Sequence, residues 1–294
     1  MLFALLLACK APPTAPTELA ELCNFIFREA GEGDEREEYL RLGLQNLDDW
    51  LQEDIEATAE GYTVDLLEQE VVDGLGISGY TIESVEALDA AGAPTPIWLD
   101  GRGPSTAALL GAAIAVRQEY PPDAIALATT WADQQEVMEG DFNVYERTWY
   151  DDKDAFMQQE ILRMEASSYS EADYFNVIEV HSNNWIQYRW VETPDGWALV
   201  HRSWLVRPAE VSWEGVSVNA QYLLAVTLPA TWNPGGSIRM MTTWIEAKYG
   251  GLDRDYALTQ INKSMAGQGA MIDDWLAEQF AIYGDVEGVI EAGG

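Results

Sequence analysis

The chain has 294 residues, of which 50 are acidic and 16 are basic, so its formal net charge at pH 7 is −34. Hydrophobic residues make up 48% of the sequence and 12 residues are tryptophan, which excludes global disorder and allows one large or two modest domains. Binding to phosphate backbones needs clustered cations, so the charge argues against nucleic acid as a partner, and an anionic bilayer surface would repel the folded body.

The amino terminus is an apolar run that ends in Leu-Leu-Ala-Cys at residues 6–9. It resembles the hydrophobic region and lipobox of a bacterial lipoprotein signal, and it is too short for a spanning helix, which needs about 20 apolar residues. The resemblance implies a signal peptide over residues 1–8, lipid attachment at Cys9 and a Pro-rich tether over residues 9–18. In the sorting pattern of such lipoproteins, Lys10 implies the outer membrane. The alternative is a buried N-terminal helix with an ordinary core cysteine.

Cys9 and Cys23 are the only cysteines of the chain. If Cys9 carries lipid, Cys23 has no partner within the chain, so the fold must be held by packing without a disulfide. Because Cys23 lies among Leu22, Phe25 and Ile26, the sequence predicts a buried, inert thiol.

Residues 19–140 are predicted to be a mainly helical region. A helix is expected over residues 17–30, and leucines at helical spacing predict an amphipathic helix over residues 34–57. Further helices are predicted over residues 105–117 and, from a Pro-Pro pair, over residues 121–132.

Residues 141–294 are predicted to form an antiparallel sheet followed by a long helix. This segment is rich in Trp, Tyr, Val, Ile and Thr, with turn signals at intervals. The predicted strands cover residues 142–150, one or two stretches of 174–193, and residues 197–206, 216–228 and 238–248. The final helix is expected over residues 253–280, covering the apolar face of the sheet. The fold class is therefore α+β.

Strands followed by a long C-terminal helix resemble the helix-grip fold of START-like lipid-transfer and polyketide-cyclase-like proteins. The resemblance covers roughly residues 140–280 and depends on the order of the elements. It implies a sheet that packs around the long helix, and a ligand that is a lipid or another apolar small molecule.

A second resemblance, to lipoproteins of myxobacteria and their relatives, covers most of the chain. It is carried by short segments, which are Asn46-Leu47-Asp48-Asp49-Trp50-Leu51, Glu60-Gly61-Tyr62-Thr63-Val64, Tyr145-Glu146-Arg147-Thr148, Gln187-Tyr188-Arg189-Trp190-Val191, His201-Arg202-Ser203-Trp204 and Thr242-Thr243-Trp244. This resemblance implies an envelope location and brings no activity and no catalytic residues.

Three patterns with catalytic or metal-binding precedents have a simpler structural interpretation. Residues 74–79 match G-x-G-x-x-G, but an acidic stretch precedes them where the dinucleotide motif needs a hydrophobic strand, so we predict a loop and no cofactor. The only histidines, His181 and His201, could approach each other on paired strands, yet two histidines without further ligands do not make a zinc site. Asp151, Asp152 and Asp154 lack the pattern of a calcium loop, so no metal is predicted.

Polar residues within the predicted strands are the candidates for lining a ligand cavity. In one strand Gln187 and Arg189 share a face, and in the next His201 and Ser203 share a face. The candidate cavity-lining residues are Gln187, Arg189, His201, Ser203, Trp204 and Trp244. The alternative is that the tryptophans face the helix while the arginines stack on exposed rings or pair with acids.

The function predicted from the sequence is non-catalytic. We expect a lipid-anchored envelope protein of the outer membrane, whose START-like part binds a lipid or other apolar molecule. The alternative is a structural or interaction lipoprotein with a filled core and no ligand, and an enzyme is the third hypothesis. A cavity beneath residues 253–280 favours the first, whereas close packing of Trp204, Trp244 and Trp275 there favours the second.

Overall fold

An antiparallel β-sheet runs through the part of the chain that the computed structural model describes, which is residues 13–53, 62–73, 75, 109–140, 142–174, 178–249 and 254–292. Its strands are β1 (Tyr62–Thr63), β2 (Leu110–Gln118), β3 (Val144–Trp149), β4 (Arg163–Tyr174), β5 (Ile178–Thr193), β6 (Gly196–Leu205), β7 (Glu210–Val211), β8 (Val216–Pro229) and β9 (Ser237–Tyr249). Neighbouring strands follow the order β1-β2-β9-β8-β6-β5-β4-β3, and β7 pairs with β5.

Helices cover both faces of this sheet. They are α1 (Leu19–Gly31), α2 (Glu37–Glu53), α3 (Gln69–Asp73), α4 (Pro122–Thr129), α5 (Gln134–Val137), α6 (Lys153–Met157), α7 (Arg254–Tyr283) and α8 (Val286–Glu291), and a 3-10 turn at Asp34–Arg36 precedes α2. None of the helices in the described segments is both long enough and apolar enough to cross a bilayer.

The predicted fold class is confirmed. An antiparallel meander leads into a long C-terminal helix, and that helix packs on the sheet as a helix-grip arrangement requires. The predicted hairpin turn lies at Pro194 and Asp195, between β5 and β6. The lipobox with Cys9, the G-x-G-x-x-G stretch apart from Leu75, and the first residue of the predicted final helix lie outside the described residues.

The helix predicted over residues 105–117 is wrong, because its described part from Leu110 onward is strand β2. Small apolar residues fill this segment and show neither helical nor alternating periodicity, so local pattern does not decide its structure. Pairing with β9 decides it, and a Cβ at Gly111 would approach the Val64 carbonyl oxygen at 2.9 Å. The sheet therefore includes a strand from the segment that was predicted to be mainly helical.

Strand β4 (Arg163–Tyr174) was not anticipated in the sequence. Its serines and glutamate depart from the apolar alternation that marks a half-buried strand. The packing explains this, because Ser168 and Ser170 are buried in the wall of a cavity and belong to none of the apolar core clusters of the described residues.

One face of the sheet packs densely against α1 and α2. Leucines of α2 at helical spacing are buried, as the amphipathic pattern predicted; these are Leu40, Leu44, Leu47 and Leu51. Phe27 of α1 contacts Trp244 edge-on, with 5.6 Å between ring centroids. Trp185 and Trp204 belong to the same core. Cys23 is also buried there, and burial raises the pKa of its thiol to about 12, which confirms the predicted inert thiol.

The opposite face packs against the C-terminal helix α7 and the short helix α4. Met265 of α7 packs on Ile114 and Met241 of the sheet. Further along α7, Trp275 packs on Trp131, with 5.1 Å between ring centroids. The two helical layers thus cover the sheet on both sides, which explains why its strands are apolar on both faces.

Two buried arginines join the sheet to the C-terminal end of α1. Arg202 donates from Nη1 to the Phe27 carbonyl at 2.8 Å, and Arg189 donates from Nη1 to the Glu32 carbonyl at 3.0 Å. The last carbonyls of a helix lack partners within the helix and carry partial negative charge, so cations stabilise them. A Cβ at Gly31 would collide with the Arg202 guanidinium, which explains a glycine at this position.

Replacing Arg202 by methionine tests this junction. The substitution leaves the Phe27 carbonyl and the Gln187 amide oxygen, which accepts from Arg202 Nε at 2.6 Å, without a donor. We expect the free energy of unfolding, measured by urea denaturation, to fall by about 2 kcal/mol. The control is Arg163→Met, which removes an exposed ion pair with Asp34 and should cost less than about 1 kcal/mol. Equal losses in the two variants would contradict a special role for Arg202.

Candidate functional site

A cavity of about 190 Å³ lies on the face of the sheet that α7 covers. Side chains of β3, β4, β5, β6, β8 and β9 line it, together with residues around α4 and α5 and Gln268 of α7. Each strand contributes alternate residues, because successive side chains of a strand point to opposite faces.

The lining is mixed in polarity. The serine and amide side chains on the strands are Ser168, Ser170, Ser182, Asn184, Ser203 and Gln221, and the tyrosines are Tyr145 and Tyr188. The apolar side chains are Met138, Phe142, Ile186, Leu223 and Met241. A site of this composition suits a molecule with one polar end and a small apolar body.

The structure places two of the six candidate residues in the cavity and four elsewhere. His201 and Ser203 line it. Gln187 and Arg189 lie on the opposite face of the sheet, because in the β5–β6 ladder Tyr188 pairs with His201 and Gln187 pairs with Arg202. The register between the strands, which the sequence does not specify, therefore removes Gln187 and Arg189 from the cavity.

The tryptophans that were expected beneath the final helix do not meet there. Trp204 and Trp244 lie on the α1–α2 side of the sheet and do not line the cavity. Trp275 is on α7 but packs on Trp131. The close packing of Trp204, Trp244 and Trp275 that would have favoured a filled core is therefore not observed.

His201 is held in the cavity wall as a neutral imidazole. Its ring stacks on Tyr188, with 4.6 Å between centroids and 17° between planes, and the Tyr188 hydroxyl donates to the Thr129 carbonyl at 2.9 Å. Both ring nitrogens of His201 are buried and have no hydrogen-bond partner among the residues that the structure describes. Burial, reinforced by the charges of Arg239 and Arg147, lowers the pKa of His201 to about 3.

Two arginines line the same cavity, and neither is among the residues predicted from the sequence to line it. Arg147 donates from Nη1 to the Thr129 carbonyl at 2.7 Å and from Nε to the Tyr145 hydroxyl at 3.0 Å. Arg239 is only 4% exposed, and its Nε and Nη1 have no hydrogen-bond partner within the described ranges of the chain. Burial lowers the pKa of Arg239 to about 10, so it is still charged at neutral pH. The signal in the sequence that could have identified Arg239 is that it is the one arginine of the largely apolar strand β9.

A separate cluster with metal-ligand chemistry lies at the β4–β5 hairpin. Glu171, Glu179 and His181 have ligand atoms within 4.8 Å of one another. The Tyr169 hydroxyl donates to Glu171 at 2.6 Å and lies 3.1 Å from His181 Nδ1, while His181 Nε2 lies 3.2 Å from Glu179. The cluster is satisfied internally by these contacts. It does not include His201, because His201 pairs with Tyr188, seven residues along β5 from His181.

The sequence matches no protein-family model and no curated protein. Among solved structures, the chain is similar to the human StarD13 lipid transfer and protein localization domain, with TM-score 0.37, 13% identity and coverage of 61% of this chain and 80% of that one. It is similar to a STAR-related lipid transfer protein from Xanthomonas axonopodis, with TM-score 0.38, 14% identity and coverage of 58% and 87%. It is also similar to a START superfamily protein from Mycobacterium smegmatis, with TM-score 0.36, 5% identity and coverage of 57% and 97%. These values are too low to transfer a function, so the properties of the site follow from its own residues.

The neutral state of His201 can be tested by NMR. The chain has 2 histidines, so His181→Asn leaves His201 as the only imidazole. We expect its ring signals to show no titration between about pH 8 and about pH 5, because burial holds its pKa near 3. A midpoint near 6.5 would contradict a buried, unprotonated ring.

The same shift predicts a pH dependence of stability. In the unfolded chain His201 takes up a proton near pH 6.5, whereas in the folded protein it does so near pH 3. The unfolded state binds more protons in this window, so the free energy of unfolding falls as the pH is lowered from about 6.5 towards 3. We expect His201→Gln to flatten this slope between about pH 6.5 and about pH 5, above the range in which carboxylates titrate, and an unchanged slope would contradict the mechanism.

Proposed function

We propose that this protein binds a small organic molecule in the cavity between the sheet and α7, without transforming it. The observation that carries the proposal is a cavity of about 190 Å³ whose wall contains buried polar atoms with no hydrogen-bond partner in the described part of the chain. Buried polar groups are normally hydrogen-bonded, so unpartnered ones in a cavity wall are suited to a ligand.

The cavity volume indicates how large the enclosed part of this ligand is. A cavity of roughly 150 Å³ accommodates benzene, whereas pockets for drug-sized ligands span roughly 300–1,000 Å³. At about 190 Å³, the cavity suits a single ring or a short chain rather than a whole membrane lipid. We therefore narrow the expectation of a lipid or other apolar ligand to a small molecule with an apolar part.

The chemistry of the wall supports binding rather than catalysis. A histidine whose pKa lies near 3 is a weak base at neutral pH, so His201 is poorly suited to abstract a proton. Among the described residues neither nitrogen of His201 has a hydrogen-bond partner, so none of the described serines that line the cavity is activated by it.

Filling the cavity tests the binding function. Ser203 lines the cavity, and we expect Ser203→Phe to occupy the space and displace a ligand while leaving the fold intact. The measurement is native mass spectrometry of protein purified from its own envelope, in which a copurifying mass should be present in the wild type and absent from the variant. The control is Ser217→Phe, because Ser217 is on β8 outside the cavity wall. A wild type without bound mass, and without response to small-molecule probes, would favour the alternative of a structural or interaction lipoprotein.

We further propose that Cys9 carries a lipid that holds the protein at the outer membrane of a bacterial envelope. The support is the apolar run that ends in Leu-Leu-Ala-Cys and the Pro-rich residues that follow it. Because the net charge of −34 disfavours adsorption to anionic lipid, the anchor would be the main membrane attachment.

Metabolic labelling with an alkyne fatty acid tests the anchor. We expect the wild type to be labelled and to fractionate with the outer membrane, and Cys9→Ser to be unlabelled and released. Cys23→Ser is the matched control. Cys23 is buried, so its replacement should leave both the labelling and the fractionation unchanged. Labelling that persists in Cys9→Ser, or fractionation that does not change, would contradict the lipid anchor.

A further inference from the structure

We propose that the ligand of this cavity is a small organic oxyanion, a carboxylate or phosphate on a compact apolar body, and that Arg239 is its principal anchor. This inference rests on the proposed binding function and adds the chemical class of the ligand. Two positively charged side chains lie in one cavity wall, and Nε and Nη1 of Arg239 make no hydrogen bond to the described residues, which points to a negative ligand group.

The charge of the wall is opposite to that of the chain. Acidic residues outnumber basic ones by 50 to 16 in the sequence, yet the described residues lining the cavity include Arg147 and Arg239 and no Asp or Glu. An anion that enters the cavity therefore meets two cations and no carboxylate in the described part of the wall. Attraction between charges is much stronger in such a partly desolvated site than in water.

The two arginines differ in what they can offer a ligand. Arg147 is already engaged by the Thr129 carbonyl and the Tyr145 hydroxyl, and its guanidinium lies 4.9 Å from the centroid of the Trp149 ring. Arg239 is 4% exposed, and its Nε and Nη1 make no hydrogen bond to any described residue. A buried charge with unsatisfied donors is costly, and an oxyanion supplies the acceptors that a guanidinium needs. Arg239 is therefore the group whose environment an anion improves most.

The described titratable groups around Arg239 do not neutralise it from within the cavity. Burial lowers the pKa of Arg239 and the charge of Asp273 on α7 partly offsets this through space, but Asp273 accepts from the Glu119 backbone N–H at 3.3 Å and does not line the cavity. His201 is neutral at physiological pH, and the Tyr188 hydroxyl already donates to Thr129. Among the described groups, none of these three neutralises Arg239 from within the cavity.

The apolar part of the wall argues for an organic anion over a bare inorganic one. Phe142, Ile186, Leu223 and Met241 face the same space as Arg239. Burying a ring or short chain against them adds affinity in proportion to the apolar area removed from water. The volume of about 190 Å³ admits such a body together with one charged group.

Isothermal titration calorimetry of the full-length protein tests the ligand class with four probes: benzoate, phenyl phosphate, inorganic phosphate and benzamide. We expect benzoate or phenyl phosphate to bind at least roughly 10-fold more tightly than benzamide, their neutral counterpart, because hydrogen bonds to charged groups are the stronger ones. The preference between the first two identifies the oxyanion. Inorganic phosphate should bind more weakly than either, and equal binding would overturn the requirement for an apolar body.

Arg239→Met tests the anchor and has a readout that a structural arginine would not give. We expect benzoate affinity to fall roughly 10- to 100-fold. We also expect the ligand-free variant to unfold at a higher temperature than the wild type, because an apolar side chain replaces an unpartnered buried charge. Arg117→Met is the matched control. Arg117 is exposed on β2 outside the cavity wall, so its replacement should change neither the benzoate affinity nor the unfolding temperature.

The possible results separate the ligand class from the proposed function. Equal affinity for benzamide and benzoate would overturn the anion and leave small-molecule binding intact. Undiminished benzoate binding by Arg239→Met would overturn the anchor. If none of the probes binds at millimolar concentration, the oxyanion is overturned, and the search for a copurifying mass decides the binding function independently. Should Arg239→Met fail to fold, the comparison of benzoate with benzamide on the wild type still decides the class.

Discussion

The pairing of Tyr188 with His201 in the β5–β6 ladder is the constraint on which the arrangement of both sheet faces depends. Because side chains alternate along each strand, this one register places His201 beside Tyr188 on the α7 side and Arg202 beside Gln187 on the α1 side. A shift by one residue would put the His201 imidazole among the tryptophans of the α1 side and leave the C-terminal end of α1 without its cationic partner.

The two faces use buried arginine in opposite ways. On the α1 side, Arg202 donates to the Phe27 carbonyl, and Arg189 donates to the Glu32 carbonyl and lies 3.5 Å from the Glu37 carboxylate, so both join the helical layer to the sheet although Arg189 Nη2 makes no hydrogen bond to the described residues. On the α7 side, Arg239 is equally buried, and neither its Nε nor its Nη1 has a hydrogen-bond partner in the described part of the chain. Proteins retain a destabilising group where function requires it. A gain in the stability of Arg239→Met would therefore indicate that Arg239 is kept for function.

The sequence predicted the elements with clear periodicity and missed those formed by long-range pairing. Helix α2 and the C-terminal helix α7 were identifiable from their apolar positions, and β8 and β9 from their β-branched and aromatic residues. Strand β2 was mistaken for a helix because its small apolar residues fit either structure until β9 is placed beside it. The candidate site was predicted only in part. His201 and Ser203 line the cavity as predicted, whereas Arg147 and Arg239 also line it and were not predicted.

The amino-acid sequence by itself determined the α+β class, the order of a meander and a long covering helix, and the excess of acid, because these depend on local pattern and composition. It also determined, within each strand, which residues share a face. Only the tertiary structure decided how those faces coincide between strands, that β2 belongs to the sheet, and that Arg239 is buried in a cavity wall where its Nε and Nη1 make no hydrogen bond to the described residues. The physical reason is that register and burial arise from contacts between residues far apart in the chain, and a single strand carries no information about its neighbour.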